Sequence, residues 1–180
     1  MMVRAFVALE LSPGIKEELR KAQESLKESG ARLAYVDPSL IHITVKFLGE
    51  VDAKNLETVI AALKTITFNP FAVTAKTVTA DNNNRPRTVW CTIEEQGKSE
   101  ELFTVVEEAM AALGFPRETR KFTPHATVAR VKRPEPALLP ALAKIITRSY
   151  GSCTISGFKL KKSTLTPQGP IYEDLLEVTW

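Results

Sequence analysis

The chain carries two histidines, His42 and His125, and each opens the same short frame, His-x-Thr-Val. The frames are His42-Ile43-Thr44-Val45 and His125-Ala126-Thr127-Val128, set 83 residues apart. Either frame alone is a weak signal, because threonine is simply a good strand residue and a strand histidine is commonly structural. That both histidines of a 180-residue chain share one frame asks for a chemical reason. Two imidazoles and two hydroxyls on one cleft floor suffice to hydrolyse a phosphodiester. One neutral imidazole takes a proton from water, and the other, as imidazolium, gives one to the leaving oxygen. The threonine hydroxyls hold the non-bridging phosphate oxygens. Histidine suits both roles because its ordinary pKa, about 6.5, lets both forms exist near neutral pH. Each well-placed acid or base contributes on the order of 10²–10⁴ in rate. Without a metal the substrate should be reactive in itself, and a strained five-membered 2′,3′-cyclic phosphate meets that condition. Two histidines could also ligate a metal, but no third ligand follows at a recognisable spacing, so no metal and no cofactor is expected.

These residues need strands to present them. The segment from His42 to Leu48 reads as a strand from its β-branched content and alternation. Alternation puts His42, Thr44 and Lys46 on one face and Ile43, Val45 and Phe47 on the other. In the second copy His125, Thr127 and Ala129 share a face, with Ala126 and Val128 turned to the core. Around these strands the pattern is regular. A strand at 4–11 leads through Ser12-Pro13 into a helix marked by Ile15, Leu19, Ala22 and Leu26 and ended by Gly30. A short strand at 31–36 and an Asp37-Pro38 turn precede the first frame. A helix through Leu56, Val59, Ile60, Leu63 and Ile66 follows it, and then a strand at 71–80. The polar, basic segment 82–87 is the clearest loop. Beyond it the order recurs: a strand at 87–94, a helix through Leu102, Val106 and Met110, the His125 strand, a helix from Leu138 to Ile146, and a strand at 153–160. A final strand is expected over 171–180.

The recurrence reads as an internal duplication, with halves at about 3–83 and 86–166 and a terminal strand at 170–179. The offset between the frames also carries Arg4 onto Arg87, Leu19 onto Leu102 and Glu24 onto Glu107. Two β-α-β-β-α-β units packed about a pseudo-two-fold axis make an α+β protein rather than a doubly wound parallel sheet. The chain is long enough for one domain of two lobes with a proper core.

Bulk properties exclude several classes. The composition is 44% hydrophobic and 25% charged, ordinary for a soluble globular protein. A net charge of +3 suits a polyanionic partner without demanding one. Cys91 and Cys153 form no CxxC pattern, which fits a reducing cytoplasm. The N-terminus lacks a signal-peptide core, and no apolar run approaches the roughly 18 residues of a membrane span. A cytoplasmic monomer is the expectation.

The segments HITVKFLGE (42–50) and FTPHATVARV (122–131), with RAFVALEL (4–11), resemble the 2H phosphoesterase superfamily. The branch they are most similar to is the LigT-like RNA 2′,3′-cyclic phosphodiesterases, also called 2′-5′ RNA ligases. The resemblance runs over nearly the whole chain, including Gly169-Pro170-Ile171-Tyr172. Ala126 departs from the larger aliphatic residue usual there, a matter of packing rather than chemistry. The resemblance implies a bilobal 2H phosphoesterase fold with a central cleft between antiparallel sheets. It implies His42, Thr44, His125 and Thr127 as the catalytic quartet, acting on RNA ends or nucleotides that bear a 2′,3′-cyclic phosphate. The 3′-oxygen would leave, giving a 2′-phosphate, and an RNA 5′-hydroxyl acting at the same site would form a 2′-5′ linkage. The residues do not themselves assign acid and base; the preferred assignment is His125 as base and His42 as acid.

Phe47 and Arg130 are related by the same offset and could sandwich a nucleobase between a ring and a guanidinium plane. Strict alternation opposes this for Phe47, which would share the core face with Val45. The two readings are compatible only if the strand ends or bends near residue 47. Lys46 would point into the cleft by parity. Arg85, Arg87, Arg120 and Lys121 could track an RNA backbone or be solvated surface charge. Two other functions fit the same residues. One is phosphodiester cleavage of a small nucleotide, such as an ADP-ribose cyclic phosphate or a 2′-5′ oligonucleotide. The other is a non-catalytic RNA-end binding module, against which the two titratable imidazoles argue.

Overall fold

The computed structural model describes residues 2–146 and 148–180. The elements run β1 (Met2–Glu10), α1 (Pro13–Glu28), β2 (Ala34–Tyr35), β3 (His42–Asp52), α2 (Ala53–Lys64), β4 (Phe71–Ala80), β5 (Thr88–Glu94), α3 (Lys98–Ala112), β6 (His125–Arg130), α4 (Leu138–Ala143), β7 (Ser152–Ile155), β8 (Gly157–Thr166) and β9 (Gly169–Thr179). Helix boundaries follow local chemistry. Ser12 Oγ accepts from Ile15 N to cap α1, and Asp52 Oδ1 accepts from Asn55 N to cap α2. The basic loop is closed by Asp81, whose Oδ1 accepts from the amides of Asn82, Arg87 and Thr88.

Among the described residues the strands form one antiparallel sheet in the order β7-β4-β5-β6-β3-β1-β8-β9, with β2 on the free flank of β6. The fold is α+β. Two four-stranded groups, β7-β4-β5-β6 and β3-β1-β8-β9, meet through one residue pair, Ile43 with Ala126. Each group borrows from the other half of the chain. Strand β4 leaves the first half to pair with β5, and β8 leaves the second to pair with β1. The helices cross over in the same way, α1 packing on β6 and α3 on β3. All four helices lie on one side. There Val7, Leu9, Ile43, Val45, Val89, Cys91, Ala126 and Val128 join Leu19, Leu26, Leu102 and Met110 in one apolar core. The opposite face of the sheet is free of helices.

Three expectations change. The segment at 153–160 is two strands, because at Ser156 the chain passes from the edge β7 to β8 in the other group. Strand β3 runs on to Asp52, beyond Leu48. The repeated β-α-β-β-α-β order implies a strand between α3 and β6, but none forms there among the described residues; Phe122 in that segment stacks on Phe103 instead, with centroids 4.7 Å apart.

Candidate active site

Each histidine is the first residue of its strand, and each is held in the same way. His42 Nδ1 donates to Leu40 O at 2.7 Å, and His125 Nδ1 donates to Thr123 O at 2.7 Å. Both acceptors lie two residues upstream, and they keep the offset that separates the histidines. A carbonyl can only accept, so Nδ1 carries a proton in each ring and Nε2 is the nitrogen left to face a substrate. This is the arrangement a general acid or base requires.

The sheet brings the two frames together. Ile43 and Ala126 are antiparallel partners, and they are corresponding residues of the two frames. A strand pair that meets at corresponding residues has its local two-fold axis at that pair. Continuing the register sets His42 toward Thr127 and Thr44 toward His125. Ile43 and Ala126 are fully buried toward the helices, so all four polar side chains emerge on the helix-free face, where they are half-buried. The pairing supports the reading of the chain as two related halves.

The two imidazoles differ in surroundings. His42 stacks on Phe6 with centroids 5.0 Å apart and receives the edge of Tyr172 at 5.6 Å. Its Nε2 lies 3.0 Å from Thr44 Oγ1. Burial holds its pKa below the ordinary histidine value; the bond to Leu40 O and the charge of Glu10 act in the opposite direction without overcoming it. Glu10, the partner of His42 across β1, is itself engaged by Lys16 at 2.8 Å and Lys161 at 2.7 Å. His125 packs against Trp90 at 4.3 Å, and its bond to Thr123 O is solvent-exposed.

Both strands then break their alternation at the same place. Opposite β1, Val7 pairs with Lys46 and Ala8 with Thr44, so Val45 is an extra residue. Opposite β5, Val89 pairs with Ala129 and Trp90 with Thr127, so Val128 is an extra residue. Each is a β-bulge, and a one-residue insertion reverses the face of everything beyond it. Phe47 is thereby turned out, 66% exposed, on the same side as Phe6, whose ring centroid is 6.0 Å away. Arg130 is likewise turned out. The conflict between alternation and an outward Phe47 is resolved by the bulge. The same insertion corrects Lys46: it points to the helices, only 6% exposed, in an ion pair with Glu107 and with Nζ donating to Pro116 O at 3.0 Å. Arg85, Arg87, Arg120 and Lys121 are exposed.

The single offset does not extend beyond the motif strands. By strand pairing, Glu10, Ala8 and Phe6 of β1 correspond to Thr92, Trp90 and Thr88 of β5, one residue short of the motif offset. Four of the five buried positions of α1 (Ile15, Ala22, Gln23, Leu26) match those of α3 (Ser99, Val106, Glu107, Met110) one residue beyond it, while Leu19 and Leu102 keep it. Arg4 and Arg87 are therefore not counterparts, and Glu107 answers to Gln23 rather than Glu24. The sequence reading did not place the aromatic neighbours Phe6, Trp90 and Tyr172 beside the histidines. Phe6 sits in a continuous apolar strand and Trp90 in an unremarkable alternating one, and Tyr172 arrives from β9 through a hairpin no local pattern connects to His42.

The LigT like Phosphoesterase family model matches residues 9–90 and 93–172. An RNA 2′,3′-cyclic phosphodiesterase of Archaeoglobus fulgidus is 38% identical over 175 residues, covering 96% of this chain and 98% of its own. One of Methanocaldococcus jannaschii is 36% identical over 178 residues, covering 97% and 99%. The crystal structure of Escherichia coli LigT in apo form superimposes with a TM-score of 0.79 at 21% identity, covering 99% of this chain and 97% of that one. With both histidine frames inside the matched segments, the chain belongs to the LigT-like phosphoesterase family.

Proposed function

We propose that this chain hydrolyses the terminal 2′,3′-cyclic phosphate of RNA or nucleotides to a 2′-phosphate, with His42, Thr44, His125 and Thr127 as the reacting set. The observation that carries the reading is the pairing of Ile43 with Ala126. It sets two imidazoles, each with Nδ1 tied to a carbonyl, on one face of the sheet. The relatives named RNA 2′,3′-cyclic phosphodiesterase support the substrate class.

In the reaction, His125 Nε2 accepts a proton from water as the water oxygen bonds to phosphorus. The bond from phosphorus to O3′ breaks, and His42 Nε2–H delivers its proton to O3′. The product is a 2′-phosphomonoester with a free 3′-hydroxyl, and proton exchange with solvent resets the pair. One asymmetry supports this direction: His125 is the more open to solvent, from which the attacking water comes. Thr44 and Thr127 donate to the non-bridging oxygens, with the Thr44 hydroxyl exchanging its contact with His42 Nε2 for one to phosphate. Phe47 and Arg130, turned out by their bulges, hold the base. An RNA 5′-hydroxyl in place of water would give a 2′-5′ linkage by the same steps.

The test is product identity. Incubation with a 2′,3′-cyclic mononucleotide, and separately with an RNA bearing a cyclic end, should yield the 2′-phosphate in both cases. Accumulation of the 3′-phosphate, or no turnover by the folded protein, would overturn the proposal.

A further inference from the structure

The reaction leaves unused the polar groups buried on the helical side of the two bulges. Gln23 of α1, 2% exposed, donates through Nε2 to Val36 O at 2.7 Å and to Val128 O at 2.9 Å. Val128 is the extra residue of the β6 bulge, and its carbonyl also accepts from Val36 N at 3.0 Å. Glu107 of α3, 5% exposed, accepts from Lys46 Nζ and, at 3.1 Å, from Glu118 N. Lys46 stands beside Val45, the extra residue of the β3 bulge, and its Nζ reaches Pro116 O as well.

The two arrangements have one plan. The first helix of each half reaches across to the motif strand of the other half. There its buried polar side chain ties the bulge to the segment that follows that same helix, Val36 after α1 and Pro116 to Glu118 after α3. A bulge leaves backbone groups without ladder partners, and buried groups of that kind need partners from elsewhere. A buried ion pair is not a strong source of stability, since desolvation offsets much of the attraction. Its geometric consequence is larger, because the bulge decides which face Phe47 and Arg130 present.

We propose that Gln23 and the Lys46–Glu107 pair are positioning residues that lock the two bulges, and so set the nucleobase-holding end of the site without touching substrate. The inference rests on the reading of Phe47 and Arg130 as base contacts.

The experiment compares two substrates in three sets of variants. One substrate is 2′,3′-cyclic AMP; the other is methyl riboside 2′,3′-cyclic phosphate, which has no base. The brace variants are the double substitution Lys46→Met with Glu107→Gln, and Gln23→Met, which removes the amide donors at similar volume. Phe47→Ala and Arg130→Ala are the controls. Each brace variant should raise KM for cyclic AMP on the order of tenfold, the effect of losing one stacking contact, with kcat little changed. Both parameters for the methyl riboside should stay as in the parent. A merely structural role would lower thermal stability and scale the two substrates alike, which overturns the inference. Failure of both brace variants to fold overturns it in the same way. If the controls lose selectivity for the nucleotide and the folded brace variants keep it, the inference falls alone. If the controls themselves keep selectivity, the base-holding reading of Phe47 and Arg130 is what fails.

Discussion

Ile43 and Ala126 pair across the middle of the sheet, and each occupies the second position of its own His-x-Thr-Val frame. That contact brings together two strands distant in sequence. It also keeps the polar residues of the frames apart from the core, because the pair is fully buried while His42, Thr44, His125 and Thr127 emerge on the other side.

The first prediction follows from this separation. His42→Ala and His125→Ala should each lower kcat on a 2′,3′-cyclic nucleotide by on the order of 10²–10⁴. Neither ring fills the helical core, so circular dichroism and thermal melting should remain close to the parent's. Because two imidazoles suffice, EDTA should leave the rate unchanged. Loss of activity on chelation, or full activity in either variant, would contradict the mechanism.

His42 and its aromatic neighbours supply the pH dependence. An acid–base pair gives a bell-shaped profile, and one limb of it follows His42, whose pKa burial puts below the ordinary value of about 6.5. Tyr172→Ala opens the edge of the ring to water, and the His42 pKa should then rise. The limb that follows His42 should move to higher pH with it. Proton NMR of the two imidazoles across pH reads the shift directly. The sign for stability follows from the same displacement. Between the folded pKa of His42 and about 6.5 the unfolded chain binds more protons than the native one. This group's stabilising contribution is complete above about 6.5 and is lost as pH falls through its folded pKa. An unchanged titration in Tyr172→Ala would refute the role given to burial.

How much of this was legible in the sequence depends on the range of the cause. Alternation and the repeated frame put His42, Thr44, His125 and Thr127 on one face, since strand parity is fixed by adjacent residues. It failed at Lys46 and Phe47, where a bulge defined only by pairing with β1 inverts it. Exposure of Phe47 was accessible only as a condition, that the strand bend near residue 47. The crossing of β4 and β8 between strand groups left no local trace, and with it went the reason Tyr172 meets His42. A single offset likewise held only within the motif strands: between β5 and α3 the second copy gains two residues over the first, and it loses one of them again before its motif strand.

Gly157 tests the strand hand-over. A Cβ on it would lie 2.1 Å from Val178 O of the neighbouring β9, where backbone has no room to yield. Gly157→Ala should therefore destabilise the protein by about 1–3 kcal/mol, as overpacking does, and lower the melting temperature. Tyr172 lies well along the hairpin, opposite Ser163, so kcat of the folded fraction should hold. A melting temperature equal to the parent's would show that the β8–β9 pairing at this point is not close.

The assignment of acid and base is separable by the leaving group. Loss of a general acid matters only when the departing atom needs a proton, and a thiolate leaves without one. With sulfur in place of the 3′-oxygen of the cyclic phosphate, His42→Ala should recover most of the rate it loses on the oxygen substrate. His125→Ala should stay impaired on both substrates, because the attacking water still requires a base. A bell-shaped pH profile cannot make this distinction, since exchanging the two roles gives the same curve. The opposite pattern of rescue, with His125→Ala restored and His42→Ala not, would exchange the roles. It would place the water on the side of Phe6 and Tyr172 rather than beside Trp90.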